Sequence, residues 1–131
     1  AEIEANVRAP VLALGNLSAR RDFTDVRDVV RAYRALMNEG RAGEVYNVAS
    51  GRAVQIGQVV QAALNFSEVP IRLEADDDRA RPLDSPVLIG DNSKLRDHVG
   101  WEPIVSIEES ILDTLNHARS KVRDVRSSGV I

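Results

Sequence analysis

A chain of 131 residues, 44% hydrophobic and 28% charged, fits one domain with one modest core and leaves little room for two. Its 17 basic and 20 acidic residues are interspersed and sum to a formal charge of −3, which excludes a broad basic field for tracking a nucleic-acid backbone. Without cysteine there are no disulfides and no thiolate metal sites, and no apolar run approaches the ~18 residues of a membrane span, so the cytoplasm is the expected compartment.

The start, Ala1-Glu2-Ile3-Glu4-Ala5, has neither a Met nor the make-up of a signal peptide, and its abrupt helix-forming character suggests sequence continuing upstream. Val11 to Leu14 is a short apolar run closed by Gly15-Asn16, a strand followed by a turn. A polar stretch then carries Arg20-Arg21-Asp22-Phe23-Thr24. From Asp25, the residues Val26, Val29, Val30, Tyr33, Leu36 and Met37 recur at spacings of three and four and predict a helix. Asp25 suits its N-cap, Asp28 suits the positive end of its dipole, and Gly40 is expected to close it in the left-handed conformation.

Glu44 to Ala49, rich in β-formers between Gly43 and Ser50-Gly51, predicts a buried strand. Ile56 to Asn65 carries Ile56, Val59, Val60, Ala63 and Leu64 on one helical face. Pro70 to Glu74 alternates like a half-exposed strand, and the charged, proline-bearing stretch Ala75 to Pro86 predicts a loop. Pro86 to Gly90 predicts a short strand with proline at its first position, where a missing N–H is tolerated. Asp91 or Asn92 then caps a short helix ending at Gly100. The last helix opens with Ser106 and Glu109 at capping-box spacing and lays Ile107, Ile111, Leu112, Leu115, Ala118 and Val122 along one face. This divides the chain into a domain over 1–122 and a polar, fraying tail over 123–131.

Two clusters have the chemistry of an anion site. Arg20 and Arg21 stand just before a helix start, where guanidinium forks can grip a phosphate, although two exposed arginines pairing with carboxylates would read the same. Arg81, three residues from Asp84, pairs a donor for anionic oxygens with an acceptor for hydroxyls; an ordinary solvated loop also carries such spacing. Asp76-Asp77-Asp78 lacks the spaced ligands and turn glycine of a calcium loop, and consecutive carboxylates rarely converge on one ion. His98 and His117 lie far apart without a second ligand nearby, Trp101 suits a core plug at a turn, and Ser67 and Ser85 lack a nucleophile elbow.

Taken in order, the segments at 15–33, 44–51, 81–95 and 100–103 (RRDFTDVRDVVRAY, EVYNVASG, RPLDSPVLIGDNSKL and GWEP among them) resemble the carboxy-terminal part of the GDP-6-deoxy-D-mannose reductases. These are relatives of the GDP-mannose 4,6-dehydratases and the sugar-nucleotide epimerases, all extended short-chain dehydrogenases. The resemblance reaches to about Arg119. It implies an α/β fold with a few short strands and about four helices, lacking the Rossmann glycine-loop half. It also implies a substrate-binding role toward a GDP-sugar, in enzymes that reduce a GDP-4-keto-6-deoxymannose with NAD(P)H to GDP-rhamnose. Phe23 to Val26 and Ser85 to Val87 look more like the reductase branch than the dehydratase branch. By the same resemblance Arg21 and Arg81 approach the diphosphate, Asp84 the ribose, and Arg20 assists, while Asp25, Asp28, Asn47 and Trp101 are structural.

The departures matter as much. None of the eight glycines completes a G-x-x-G-x-x-G: Gly40 and Gly43 have its first spacing, but Tyr46 takes the third position. Four residues after Tyr33 stands Met37, and four after Tyr46 stands Ser50, so the family's Tyr-x-x-x-Lys is missing and no proton donor for a carbonyl is identified. The expectation is a chain that binds no cofactor by itself and does not catalyse alone. Its expected partners are a GDP-sugar and either further copies or a cofactor-binding domain, which by the resemblance packs on the helix from Asp25 and the strand at Glu44; nucleic acid and membrane are not expected. The alternatives are the carboxy-terminal part of a GDP-mannose 4,6-dehydratase, or a non-catalytic assembly module derived from such an enzyme and without a small-molecule role.

Overall fold

The computed structural model describes residues 1–76 and 85–127. Arg81, Asp84, Asp77 and Asp78 therefore lie outside the described residues. The elements in order are β1 (Val11–Leu14), β2 (Arg20–Asp22), α1 (Val26–Glu39), β3 (Ala53–Gln55), α2 (Ile56–Asn65), β4 (Arg72–Ala75), β5 (Val87–Leu88), α3 (Ser93–Val99) and α4 (Ile107–Ser127). β1 and β4 form a parallel pair, Val11 opposite Arg72 through Leu14 opposite Ala75. β2 is the centre of a second sheet, antiparallel to β3 and parallel to β5.

α1 begins where Asp25 stops the extended chain: its Oδ1 accepts from the Arg27 amide at 2.8 Å and supplies the N-cap. The buried side of α1 carries Ala32 and, unusually, Asp28, both with no solvent exposure. Asp28 is fully used. Its Oδ2 accepts from the amides of Ile104 and Val105 at 3.0 Å each, its Oδ1 accepts from Arg31 at 2.6 Å, and its backbone carbonyl accepts from Trp101 Nε1 at 2.9 Å. One carboxylate thus fixes the chain after Trp101 against α1, and Ala32, Leu95 and Trp101 close the core there with Leu36, Tyr46, Val48 and Val99 around them.

The other half packs differently. α2 lies against α4, with β1 and β4 beside them, and neither helix contains a fully buried residue. Two clefts of about 440 and 610 Å³ open along this contact and share Ala63, Leu115 and Ala118 as lining. The amino-terminal turn is tied to α4 by Arg119, whose guanidinium donates to both Glu4 carboxylate oxygens at 2.8 and 2.6 Å and to the Phe66 carbonyl at 2.8 Å.

Several expectations need correction. Glu44 to Ala49 forms no ladder among the described residues. It keeps the alternation of a strand, with Tyr46 and Val48 against the core and Val45 80% exposed, because side-chain pattern fixes which residues turn inward without supplying a neighbour to pair with. The strand pairing goes instead to Ala53–Gln55, through β2, which lies in the stretch read as merely polar. Gly40 ends α1 at φ −67°, not left-handed. A Cβ there would come 2.4 Å from the Leu36 carbonyl oxygen, so close approach is what glycine provides at this position. Gly100 does take the left-handed φ of 65° at the end of α3. α4 continues past Val122 to Ser127, and Arg126 donates to the Ala5 carbonyl at 3.0 Å, so the described part of the expected fraying tail is helix.

Candidate functional site

The second sheet places the basic residues. Arg20 opposes Gln55 and Val87, and Arg21 opposes Val54 and Leu88. Successive side chains of a strand point to opposite faces, so Arg20 and Arg21 do not aim at the same point. Arg20 turns to β3, donating to the Ala53 carbonyl at 2.9 Å. Arg21 turns to the β5 side, where one guanidinium nitrogen donates to the Arg20 carbonyl at 2.8 Å and to the Ser85 carbonyl at 3.1 Å. The Arg21 guanidinium thus lies at Ser85, where the described chain resumes.

Asp22 shares the Arg20 face of β2 and holds the sheet's surroundings. Its Oδ1 accepts from the amide and hydroxyl of Ser50, and its Oδ2 from the amides of Gly51 and Gly90, at 2.9 Å from Ser50 N and Gly51 N and 3.1 Å from Gly90 N. Burial pushes its carboxyl up, but the Ser50 hydroxyl and the three amides outweigh that and leave it below the usual aspartate value. Asp25 is held well below its ordinary range chiefly by the Arg27 guanidinium and then by the Ser110 hydroxyl, which fits a capping and helix-joining residue.

Arg52 was passed over in the sequence, although it directly follows the Ser50-Gly51 turn. The antiparallel register puts it, two residues before Val54, on the Arg21 face of the sheet. There it lines a cleft of about 370 Å³ with Phe23, Ser50, Val54 and the chain around Ile104. The arrangement is one of cations around a short sheet, suited to charge-assisted hydrogen bonds with anionic oxygens.

The remaining candidates have structural occupations. The Tyr46 hydroxyl accepts from the Arg41 amide at 3.1 Å and lies 2.9 Å from His98 Nδ1, and Lys94 sits 4.8 Å over the Tyr46 ring. Asn47 donates to the Asp91 carbonyl, and Asp91 Oδ1, which accepts from the Ser93 amide and hydroxyl, does the work expected of a cap at the start of α3. Among the described residues no group of three or more His, Asp or Glu side chains is placed to hold a metal ion, and no helix is long and apolar enough to cross a membrane.

Comparison with known proteins bears on the same residues. The family model for GDP-mannose 4,6 dehydratase matches residues 1–114. The GDP-6-deoxy-D-mannose reductase of Pseudomonas aeruginosa is 32% identical over 124 residues, 95% of this chain and 41% of that protein. A dTDP-glucose 4,6-dehydratase of Xanthomonas campestris is 31% identical over 115 residues, covering 82% of this chain and 33% of its own. Among solved structures, RMD from Pseudomonas aeruginosa complexed with NADPH superposes with a TM-score of 0.85 at 30% identity, over 92% of this chain and 39% of that one. A putative epimerase from Burkholderia cenocepacia gives 0.80 at 34% identity, over 91% and 39%. The chain thus spans about two fifths of the reductase's length. It belongs to the GDP-mannose 4,6-dehydratase family of extended short-chain dehydrogenases and has the fold of a part of such an enzyme.

Proposed function

We propose that this chain is the sugar-nucleotide-binding part of an NAD(P)-dependent enzyme acting on a GDP-4-keto-6-deoxymannose, and that it does not catalyse alone. The observation that carries this reading is the Arg21 guanidinium on the β5 side of the sheet, 3.1 Å from the Ser85 carbonyl. Arg21 and Arg81 neutralise the diphosphate, Asp84 accepts from the ribose, and Arg20, occupied with Ala53, assists from outside the direct contact. The reductase name of the Pseudomonas aeruginosa relative and its higher identity over nearly the whole chain favour reduction over dehydration.

The chain's own residues do not fit NAD(P). Among the described residues no helix is entered through a glycine-rich turn that would lay backbone amides on a pyrophosphate: α1, α2, α3 and α4 begin after Asp25, Gln55, Asn92 and Ser106. The hydride chemistry therefore belongs to a cofactor-binding half on the same or another polypeptide.

Calorimetry with GDP and GDP-mannose tests the binding. Arg21→Ala and Arg81→Ala are each expected to cost roughly 1.5 to 3 kcal/mol of GDP affinity, the worth of a charge-assisted contact. Absence of binding at millimolar nucleotide overturns the reading.

A second reading, an assembly module, draws on α1. Val26, Val30, Tyr33 and Met37 lie along one face at 70, 59, 58 and 87% exposure, and Val45 stands out beside them in exposure at 80%. An unpartnered apolar stripe of this kind is ordinarily covered by association, whether with the cofactor-binding half or with copies of the chain. A strictly monomeric species in light scattering, unchanged by adding a cofactor-binding half, would remove this reading.

A further inference from the structure

The two-residue strand β5 is too short to fix its own position, yet the segment from Ser85 to Gly90 is held at both ends from β2. At its start, the Pro86 carbonyl accepts from the Arg20 amide at 2.9 Å and the Ser85 carbonyl from Arg21 at 3.1 Å. At its end, the Gly90 amide donates to Asp22 Oδ2 at 3.1 Å. The same carboxylate takes the Gly51 amide on Oδ2 and the amide and hydroxyl of Ser50 on Oδ1, so its four acceptor positions are all filled by the Ser50-Gly51 turn and the exit of β5. Only glycine fits at position 90, because a Cβ there would lie 2.3 Å from the Ala49 Cβ.

Resting on the nucleotide-binding reading above, the geometry points to Asp22 as a positioning residue of that site: it sets the Ser85–Gly90 segment against β2, so that the Ser85 carbonyl holds the Arg21 guanidinium where it meets the diphosphate. Asp22 does not touch the ligand. By strand alternation its side chain leaves β2 on the face opposite Arg21, and it acts through the backbone on which the ligand-facing groups are mounted. The requirement is for an acceptor-only group. In Asp22→Asn one oxygen becomes an amide nitrogen that would confront N–H donors, so at least two of the four bonds are lost while the side-chain volume is kept.

The test is a double-mutant cycle on the full chain, with GDP as the titrant in calorimetry and the emission of Trp101 and far-UV ellipticity as folding controls. Asp22→Asn is expected to weaken GDP about tenfold when Arg21 is present and less than about twofold in an Arg21→Ala background, because its effect travels through the placement of Arg21. Equal losses in both backgrounds, or no loss with Arg21 present, overturn the positioning role while leaving the site intact. A wild-type chain that fails to bind GDP overturns the site reading and this inference with it. If Asp22→Asn does not fold, Ser50→Ala removes one of the four bonds and repeats the cycle, with a loss of roughly threefold expected only when Arg21 is present.

Discussion

Asp28 and Trp101 draw α1, α3 and the chain at 101–105 into a small core with fully buried atoms, whereas α2, α4, β1 and β4 meet along two clefts without burying any residue of α2 or α4 completely. The difference is one of means. The first region is specified by directional bonds: one buried carboxylate satisfies two amides and a guanidinium, and one indole N–H reaches a carbonyl. The second relies on a periodic apolar face whose residues touch without interlocking. Directional bonds select one arrangement and fail abruptly when broken; a loose apolar contact tolerates change and can also be improved.

Asp28→Ala should therefore have the largest effect, a loss of about 3 to 5 kcal/mol in urea unfolding. It strands the part-buried Ile104 and Val105 amides and the carboxylate's partner Arg31. A loss under about 1 kcal/mol would mean the amides find water easily and the core is less closed than it is drawn here.

The single tryptophan makes the comparison measurable, since Trp101 reports the first region alone. In a denaturant titration its emission is expected to change at a higher midpoint than far-UV ellipticity, to which α2 and α4 contribute heavily, because the loosely packed pair opens first. Coincident midpoints would show that the two regions unfold as one unit.

Conversely, Ala118→Leu adds volume where both clefts share a wall and should stabilise by about 0.5 to 2 kcal/mol in the same assay. Destabilisation instead would mean that the clefts do not accept a side chain in a relaxed rotamer.

What the sequence made legible follows the same division. The three- and four-residue spacings of α1, α2 and α4 and the Asp25 and Ser106 caps were readable because they depend on neighbours within a turn or two of helix. Asp28 was legible as a first-turn acid but not as the hub, since apart from Arg31 its carboxylate's partners lie more than seventy positions away and are backbone amides, which carry no side-chain signature. Nothing in the apolar pattern of Arg20-Arg21-Asp22 announces β2; its pairing is set by β3 and β5, and its inward-turning Asp22 is stabilised by three amides from two other places, the Ser50-Gly51 turn and Gly90. Glu44 to Ala49 shows the converse, a strong strand pattern with nothing among the described residues to pair with. For the site, Arg21 could be picked from its motif, while its separation from Arg20 by face, and the kinship in face of Arg52, needed the register.

The smallest expected effect concerns the clamp between the amino-terminal turn and α4. The Arg119 guanidinium hydrogen-bonded to Glu4, helped by the Glu68 amide, outweighs burial and holds the Glu4 carboxyl down from 4.5 to about 2. A carboxyl whose folded value lies below its unfolded value stabilises the fold fully while it is ionised in both states, and progressively less as the unfolded chain takes up the proton. That contribution is present in full above the ordinary value and is lost as the pH falls from there through about 2. Glu4→Gln should thus unfold at a lower urea concentration than wild type at pH 6, with the gap narrowing steadily at pH 4 and pH 3. Asp25, held low mainly by Arg27, remains ionised in both proteins across most of that window and so does not account for the narrowing. A gap that stays constant with pH would assign the effect of Glu4→Gln to lost packing around Arg119, and the clamp would then belong with the apolar contacts of its region and not with the directional bonds that hold Asp28.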